Sequence, residues 1–416
     1  MQKQKIGILS LGCPRNLVDA ENLLGRLNLK GCQVVDLEKA DTAILNTCCF
    51  IDSAKQESID AILGLVDLKK QGKLKKIIVS GCLVQRYKDT LIKEIPEIDA
   101  FIGTPTLNHS TSRFGLTPKH YAYLKICESC VNNCSYCIIP KIKGKFSSLE
   151  LGSLLQKVTL FDQEKISELN IIGQDITGYG LDLYGKRILS VALKKILEKS
   201  KNIHWIRLLY LYPSKQVEEI LDIIKDEPRI CKYIDLPVQH INNRILKLMR
   251  RKTTKSEILK LLEKIRKKNP EIGIRTSVIV GFPSETEAEF KELLVFLREV
   301  RFERLGAFIY SREAGTAAFD FKNQISEVIK EERFNQVMSL QQQISRLGNE
   351  KFLGKTIEVL IDECQDGTYL GRSQYDAPEV DGQVYVTSKK KLKPGDFVRV
   401  DITDTLEYDL VGQVRG

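Results

Sequence analysis

The chain has 416 residues, 43% of them hydrophobic and 28% charged, with a mean hydropathy of -0.18. It is too long for one small module and too apolar for a disordered tail, so two or three globular domains are expected. No apolar run approaches the ~20 residues of a membrane span, and Met1 to Lys5 leads into a strand without an apolar leader, so a cytoplasmic protein with no membrane partner is expected. Lys plus Arg is 64 against 54 for Asp plus Glu, a net charge of +10 that suits a polyanionic partner such as RNA. In a reducing compartment the eleven cysteines point to metal rather than to disulfides.

From residue 6 to about 104 strand-like and helical runs alternate, the mark of a parallel sheet. Short apolar runs at 6–10, 42–46 and 76–80 are each followed by helical periodicity. For the second helix, Ser53 and Gln56 fit a capping box, and Ile59, Ile62, Leu63 and Val66 make one apolar face. Residues 105–119 are polar and proline-marked, and are read as a linker. A second alternating segment, 120–349, has strand-like runs at 121–126, 168–172, 205–209, 233–236, 274–280 and 305–310, which predict a partial β/α barrel. Its last helix, from about Glu327 to Gly348, carries Phe334, Val337 and Met338 on a packing face. In 350–416, Ile357, Val359 and Ile361, then Val398, Val400 and Ile402, alternate with charged residues, predicting a small antiparallel β domain.

Two sets of three cysteines carry the chemistry. Cys130, Cys134 and Cys137 lie on one loop directly after a predicted strand. An electron-transfer [4Fe-4S] cluster takes four cysteines, so three thiolates leave one iron open to a substrate or cofactor. The alternative is a structural zinc site, for which His120 and Cys127 are the nearby candidates for a fourth ligand. Cys13, Cys48 and Cys82 each follow one of the three N-terminal strands by two or three residues. Strand carboxyl ends share one edge of a parallel sheet, so the three thiols are expected to converge there, with Gly12 and Gly81 allowing sharp turns. Ordinary packing is the bland alternative for any one of them. Cys32, Cys49, Cys127, Cys231 and Cys364 are left over.

The spacing Cys-x-x-x-Cys-x-x-Cys with Tyr136 before the last cysteine resembles the radical S-adenosylmethionine (SAM) enzymes, and the two cysteine sets with a terminal β domain resemble the methylthiotransferases over essentially the whole chain. Residues 10–20 (SLGCPRNLVDA), 46–54 (NTCCFIDSA), 121–140 (YAYLKICESCVNNCSYCIIP), 173–175 (GQD), 235–240 (DLPVQH) and 371–382 (GRSQYDAPEVDG) resemble the RimO-type branch, which modifies ribosomal small-subunit protein twelve. Cys49, where the family usually has Gly, and 143–148 (KGKFSS), which lacks the common basic residue after Ser, depart from its pattern. The resemblance implies three domains: an α/β methylthiotransferase domain at 1–104, a radical SAM barrel at 120–349 and a TRAM barrel at 350–416.

It also implies two [4Fe-4S] clusters. One, on Cys130, Cys134 and Cys137, binds SAM and cleaves it to a 5′-deoxyadenosyl radical; the other, on Cys13, Cys48 and Cys82, carries sulfur. Tyr136, Gly173 and Gly281 are implied SAM contacts, and His240 stands at a strand end, facing the site or held as a structural histidine. The reaction implied is methylthiolation of the β-carbon of an aspartate in protein twelve, free or in the ribosome, with SAM as radical source and methyl donor. A reductase or flavodoxin-type electron donor and a sulfide or polysulfide source would be needed. Residues 350–416 carry nine basic and thirteen acidic residues, a net of −4 that leaves +14 elsewhere, and this acidity is read as attracting a basic partner. The alternatives are a tRNA adenosine substrate, as in the MiaB-type branch, and an iron-sulfur electron carrier or RNA-binding module without radical chemistry.

Overall fold

A computed structural model describes residues 4–105, 107, 112–365 and 367–415. The first sheet has five parallel strands in the order Gln33–Val34, Lys5–Ser10, Thr42–Thr47, Lys76–Gly81, Ala100–Ile102. Its three central strands are the expected ones. In register, Ser10 lies beside Asn46 and Asn46 beside Ser80, so the three following turns leave the same edge. The edge strands, two and three residues long, are too short to show periodicity. The helix Asp52–Lys70 corrects the capping expectation: its cap position is Ile51, with no side-chain cap bond. Its packed face also differs. Ile62, Leu65 and Val66 are buried, whereas Leu63 is 47% exposed.

The expected linker lies partly outside the described residues, at Thr106 and 108–111. Its described end is docked: Phe114 N–H donates to the Glu21 carbonyl, and Leu116 N–H to Glu21 Oε1 at 2.8 Å.

The central segment is an open parallel barrel of six strands. Tyr121–Lys125, Glu168–Ile172 and Trp205–Leu208 form one sheet, and Tyr233–Asp235, Gly273–Val280 and Arg304–Ile309 the other. A bridge between Ile206 and Ile230 links the halves. Helices cover the outside through a continuous aliphatic core, and Val337 on the exit helix Glu327–Asn349 is buried against it with Phe334 and Met338, as predicted.

The C-terminal segment is a closed five-stranded barrel. It is antiparallel except where Val384–Thr387 runs parallel to Leu410–Val414, a pairing that strand alternation did not reveal. Leu360 and Ala377 of this barrel pack with Tyr121, Tyr123, Trp205 and Tyr233 of the open barrel and with Val18 of the first helix. All three segments therefore share one apolar cluster.

Polar contacts at this joint use part of the charge of the acidic terminal stretch. Buried Arg304 and Asp376 pair at 2.6 Å, Arg275 pairs with Asp381 at 3.3 Å, and Tyr233 donates to Asp381 at 2.6 Å. Arg372 pairs with both Glu168 and Asp362 at 2.7 Å. Buried carboxylates are paired when they persist in a core; here Asp376 and Asp381 join two domains and present no charge to a partner. Among the described residues no helix is long and apolar enough to cross a membrane.

Candidate metal centres at the domain interface

The N-terminal set is assembled by the sheet edge and tied by one asparagine. Cys13 caps the helix Pro14–Leu29, Cys48 follows its strand directly, and Cys82 opens the helix Cys82–Glu94. Buried Asn16 reaches all three turns. Its Nδ2 donates to the Leu11 carbonyl at 3.1 Å and the Thr47 carbonyl at 2.9 Å, and its Oδ1 accepts from Cys82 Sγ at 3.7 Å. Ser58 clamps the Cys48 backbone, donating to its carbonyl at 2.7 Å and accepting from its N–H at 3.0 Å. Gly12 has φ +85°, and a Cβ there would stand 2.7 Å from Cys48 Cβ and 2.9 Å from its Sγ, so the turn closes only with glycine.

The second set lies beyond the first strand of the open barrel. Ser135 pins the loop: its N–H donates to the Met249 carbonyl at 3.0 Å and its hydroxyl to the Leu248 carbonyl at 2.7 Å. Cys130 Sγ accepts from the Asn132 backbone N–H at 3.4 Å and from its Nδ2 at 3.6 Å. Asp175 orients that amide at 2.7 Å and is itself fixed by Thr177. Hydrogen bonds of this kind set the orientation and basicity of metal-ligating groups.

Burial pushes the Cys82 and Cys137 thiols up to about 12 and Cys130 to about 11. Cys13 differs: burial raises it too, but the guanidinium of Arg15 outweighs that and holds the thiol below its ordinary value.

The expected nucleoside side of the site is held by buried polar contacts. Gly281 N–H donates to Glu285 Oε2 at 2.7 Å, and Glu285 is gripped by Arg333 at 2.5 Å and His240 at 3.0 Å. His240 Nδ1 accepts the Asn242 N–H at 3.0 Å, so Nε2 carries the proton toward Glu285. This resolves the two expectations for His240 in favour of the structural one. At Gly281 a Cβ would run into the Lys330 side chain, and at Gly173 into the Cys127 thiol, so both glycines are required by the packing of the chain itself. Tyr136 is packed beside Phe282 and Tyr310, with Arg251 and Cys134 as its charged and thiol neighbours.

Both candidates for a fourth zinc ligand are engaged by other partners. His120 pairs with Asp362 of the terminal barrel at 2.7 Å, and the Cys127 thiol donates to the Asp175 carbonyl at 3.6 Å. Among the described residues no three His, Cys, Asp or Glu side chains crowd one point as a single ion requires. Three thiols per set, with N–H groups aimed at the sulfurs of Cys13 and Cys130, are a soft donor set of the kind a [4Fe-4S] cluster takes. Of the other cysteines, Cys49 is buried against Arg86, whose Nη1 donates to its carbonyl at 3.2 Å, and Cys364 is exposed.

Between the two sets sit groups that sequence reading did not single out. Lys125 and Lys143 both bind Asp19, the latter at 3.1 Å; Lys125 also pairs with Glu128 at 2.6 Å, and Gln174 donates to Glu128 at 3.0 Å. This buried quartet joins the first helix to the rim of the open barrel. Asp19 lies more than 100 residues from both lysines in the chain, and in the sequence only the segments 10–20, 121–140, 143–148 and 173–175 marked their neighbourhood.

Residues 5–103 match an uncharacterized protein family, UPF0004, residues 124–297 the radical SAM superfamily and residues 353–414 the TRAM domain. Ribosomal protein uS12 methylthiotransferase RimO of Clostridioides difficile is 48% identical, over 99% of this chain and 98% of the relative. The RimO protein of Caldicellulosiruptor saccharolyticus is 44% identical, over 99% of each. Among solved structures, the radical SAM methyltransferase TsrM from Kitasatospora setae shares the fold at 12% identity, with a TM-score of 0.57 over 82% of this chain and 89% of that one. The cobalamin-dependent radical SAM enzyme OxsB does so at 12% identity and a TM-score of 0.51, over 82% and 56%. With a radical SAM barrel, a TRAM barrel and full-length relatives of this identity, the chain belongs to the RimO family of ribosomal protein uS12 methylthiotransferases.

Proposed function

We propose that this enzyme adds a methylthio group to the β-carbon of an aspartate in ribosomal protein uS12, using SAM both as radical source and as methyl donor. The observation that carries the reading is that Arg15 donates to Cys13 Sγ and to the Gly173 carbonyl and stands close enough for its charge to act on Cys137, so residues of both cysteine sets border one domain interface. Cys130, Cys134 and Cys137 would hold a [4Fe-4S] cluster that binds SAM; Cys13, Cys48 and Cys82 would hold a second. When bound, the first supplies the electron that cleaves SAM and the second an open iron for the incoming sulfur.

The chain's own residues then have definite tasks. Asp175, through Asn132, keeps N–H groups on Cys130 Sγ. Glu285, held by Arg333 and His240, fixes the Gly281 backbone, which with the Gly173 backbone and Tyr136 would line the SAM site. Hydrogen-atom abstraction and sulfur transfer need no general base, and the buried His240–Glu285 pair serves position instead. The functional units divide at 104, 120 and 350, in a cytoplasmic enzyme served by a reductase or flavodoxin-type donor and by sulfide or polysulfide.

The test incubates reconstituted enzyme, SAM, reductant and sulfide with ribosomes, with free uS12 and with bulk tRNA. A methylthio mass increment on a uS12 aspartate is expected. An increment on tRNA alone would refute the reading.

A further inference from the structure

We propose that Arg15 is a positioning residue that sets the reduction potential of the cluster on Cys13, Cys48 and Cys82 and ties that cluster to the SAM side of the interface. The inference rests on the two-cluster reading above. Three partners seat the guanidinium. Its Nε donates to Cys13 Sγ at 3.4 Å, its Nη1 donates to the Gly173 carbonyl at 3.1 Å, and its plane lies 4.4 Å from the ring centre of Tyr210. Cys13 follows the first strand of the N-terminal sheet, whereas Gly173 and Tyr210 follow two strands of the open barrel. One side chain thus touches a ligand of one cluster and the backbone expected to face SAM.

Its charge is the second argument. Among the described residues Arg15 makes no ion pair, although the interface around it is rich in carboxylates. The nearby Glu128 is taken by Lys125 at 2.6 Å and Gln174 at 3.0 Å. A partly buried guanidinium without a carboxylate partner is costly. The anionic group within its reach is the sulfur of Cys13, and with a cluster bound the negative charge there grows. The fork of N–H donors and the weak hydration of a guanidinium suit a site that must satisfy sulfur, carbonyl and aromatic ring together. Net charge and hydrogen bonds to sulfur are the protein's main means of setting a cluster's potential. A fixed cation at Cys13 favours the more negative, reduced cluster and so raises the potential.

The experiment uses the full chain carrying C130A, C134A and C137A, reconstituted anaerobically so that only the other cluster is present, and compares it with the same chain carrying R15Q or R15K. An electron-paramagnetic-resonance redox titration reads the midpoint, alongside iron per chain. Arg15→Gln should shift the midpoint to more negative potential, and Arg15→Lys should restore most of that shift. A side chain that only fills space would leave the R15Q midpoint unchanged, and that result, with iron intact, overturns the proposal. If R15Q fails to load iron, loading by R15K at the parent level supports the charge role, and failure of both overturns it. A parent chain without any cluster would instead refute the two-cluster reading, and this inference with it.

Discussion

Asn16 concentrates more of the site's geometry than any cysteine does. One amide satisfies the Leu11 and Thr47 carbonyls and meets the Cys82 thiol, so three turns from three strands depend on it. Asn16→Ala leaves the buried Thr47 carbonyl and the part-buried Leu11 carbonyl short of a donor, a loss of about 1–3 kcal/mol. It should also lower iron at the N-terminal set while 5′-deoxyadenosine formation from SAM persists. Full iron loading in this variant would contradict the role. Asp19 is the other decisive single residue. Asp19→Asn leaves buried Lys125 and Lys143 sharing one carboxylate, Glu128, and breaking a buried pair in this way costs on the order of 3–5 kcal/mol. A clear drop in the urea midpoint is expected, and an unchanged midpoint would show the quartet to be dispensable. The six cysteines proposed as cluster ligands stand out in the sequence, three of them after successive strands and three on one loop. Arg15, Asn16, Asp19 and Asp175 were not, because a side chain's task is defined by partners far away in the chain, and no periodicity records a contact between residues 15 and 173.

At the scale of elements, the strands that position the site were readable because buried parallel strands are short, nearly continuous apolar runs. What escaped was set by packing. Leu63 looked like a core residue by spacing, yet the helix Asp52–Lys70 turns Leu65 inward. The parallel pairing of Val384–Thr387 with Leu410–Val414 depends on barrel closure, which alternation along one strand does not encode. The rim element after the fifth barrel strand gives a test at this scale. Glu285→Gln keeps the shape but removes the charge that holds Arg333 and receives the His240 proton, so the Gly281 turn loses its fixed anchor. Weaker SAM binding by calorimetry is expected, with the iron content of the loop at Cys130 unchanged. SAM affinity equal to that of the parent would contradict this assignment.

For the whole molecule, the terminal barrel is an integral wall of the enzyme. Its Asp376 and Asp381 meet Arg304, Arg275 and Tyr233, and its Leu360 and Ala377 share an apolar cluster with Tyr121, Tyr123, Trp205 and Tyr233 of the open barrel. Charge counted along the chain suggested an acidic cap facing a basic partner; in three dimensions two of those acids are spent inside the molecule. A chain carrying D376N and D381N should release its terminal barrel more rapidly in limited proteolysis, and digestion at the parent rate would contradict the docking role.

Two clusters, each short of one protein ligand, are proposed to face one substrate across the interface and to divide the chemistry between them. The most direct measurement is made on the full chain carrying C13A, C48A and C82A, reconstituted without oxygen. Iron per chain should fall by half, 5′-deoxyadenosine should still form from SAM, and no methylthio group should reach uS12. Unchanged iron, or methylthiolated uS12 from this variant, would contradict the account.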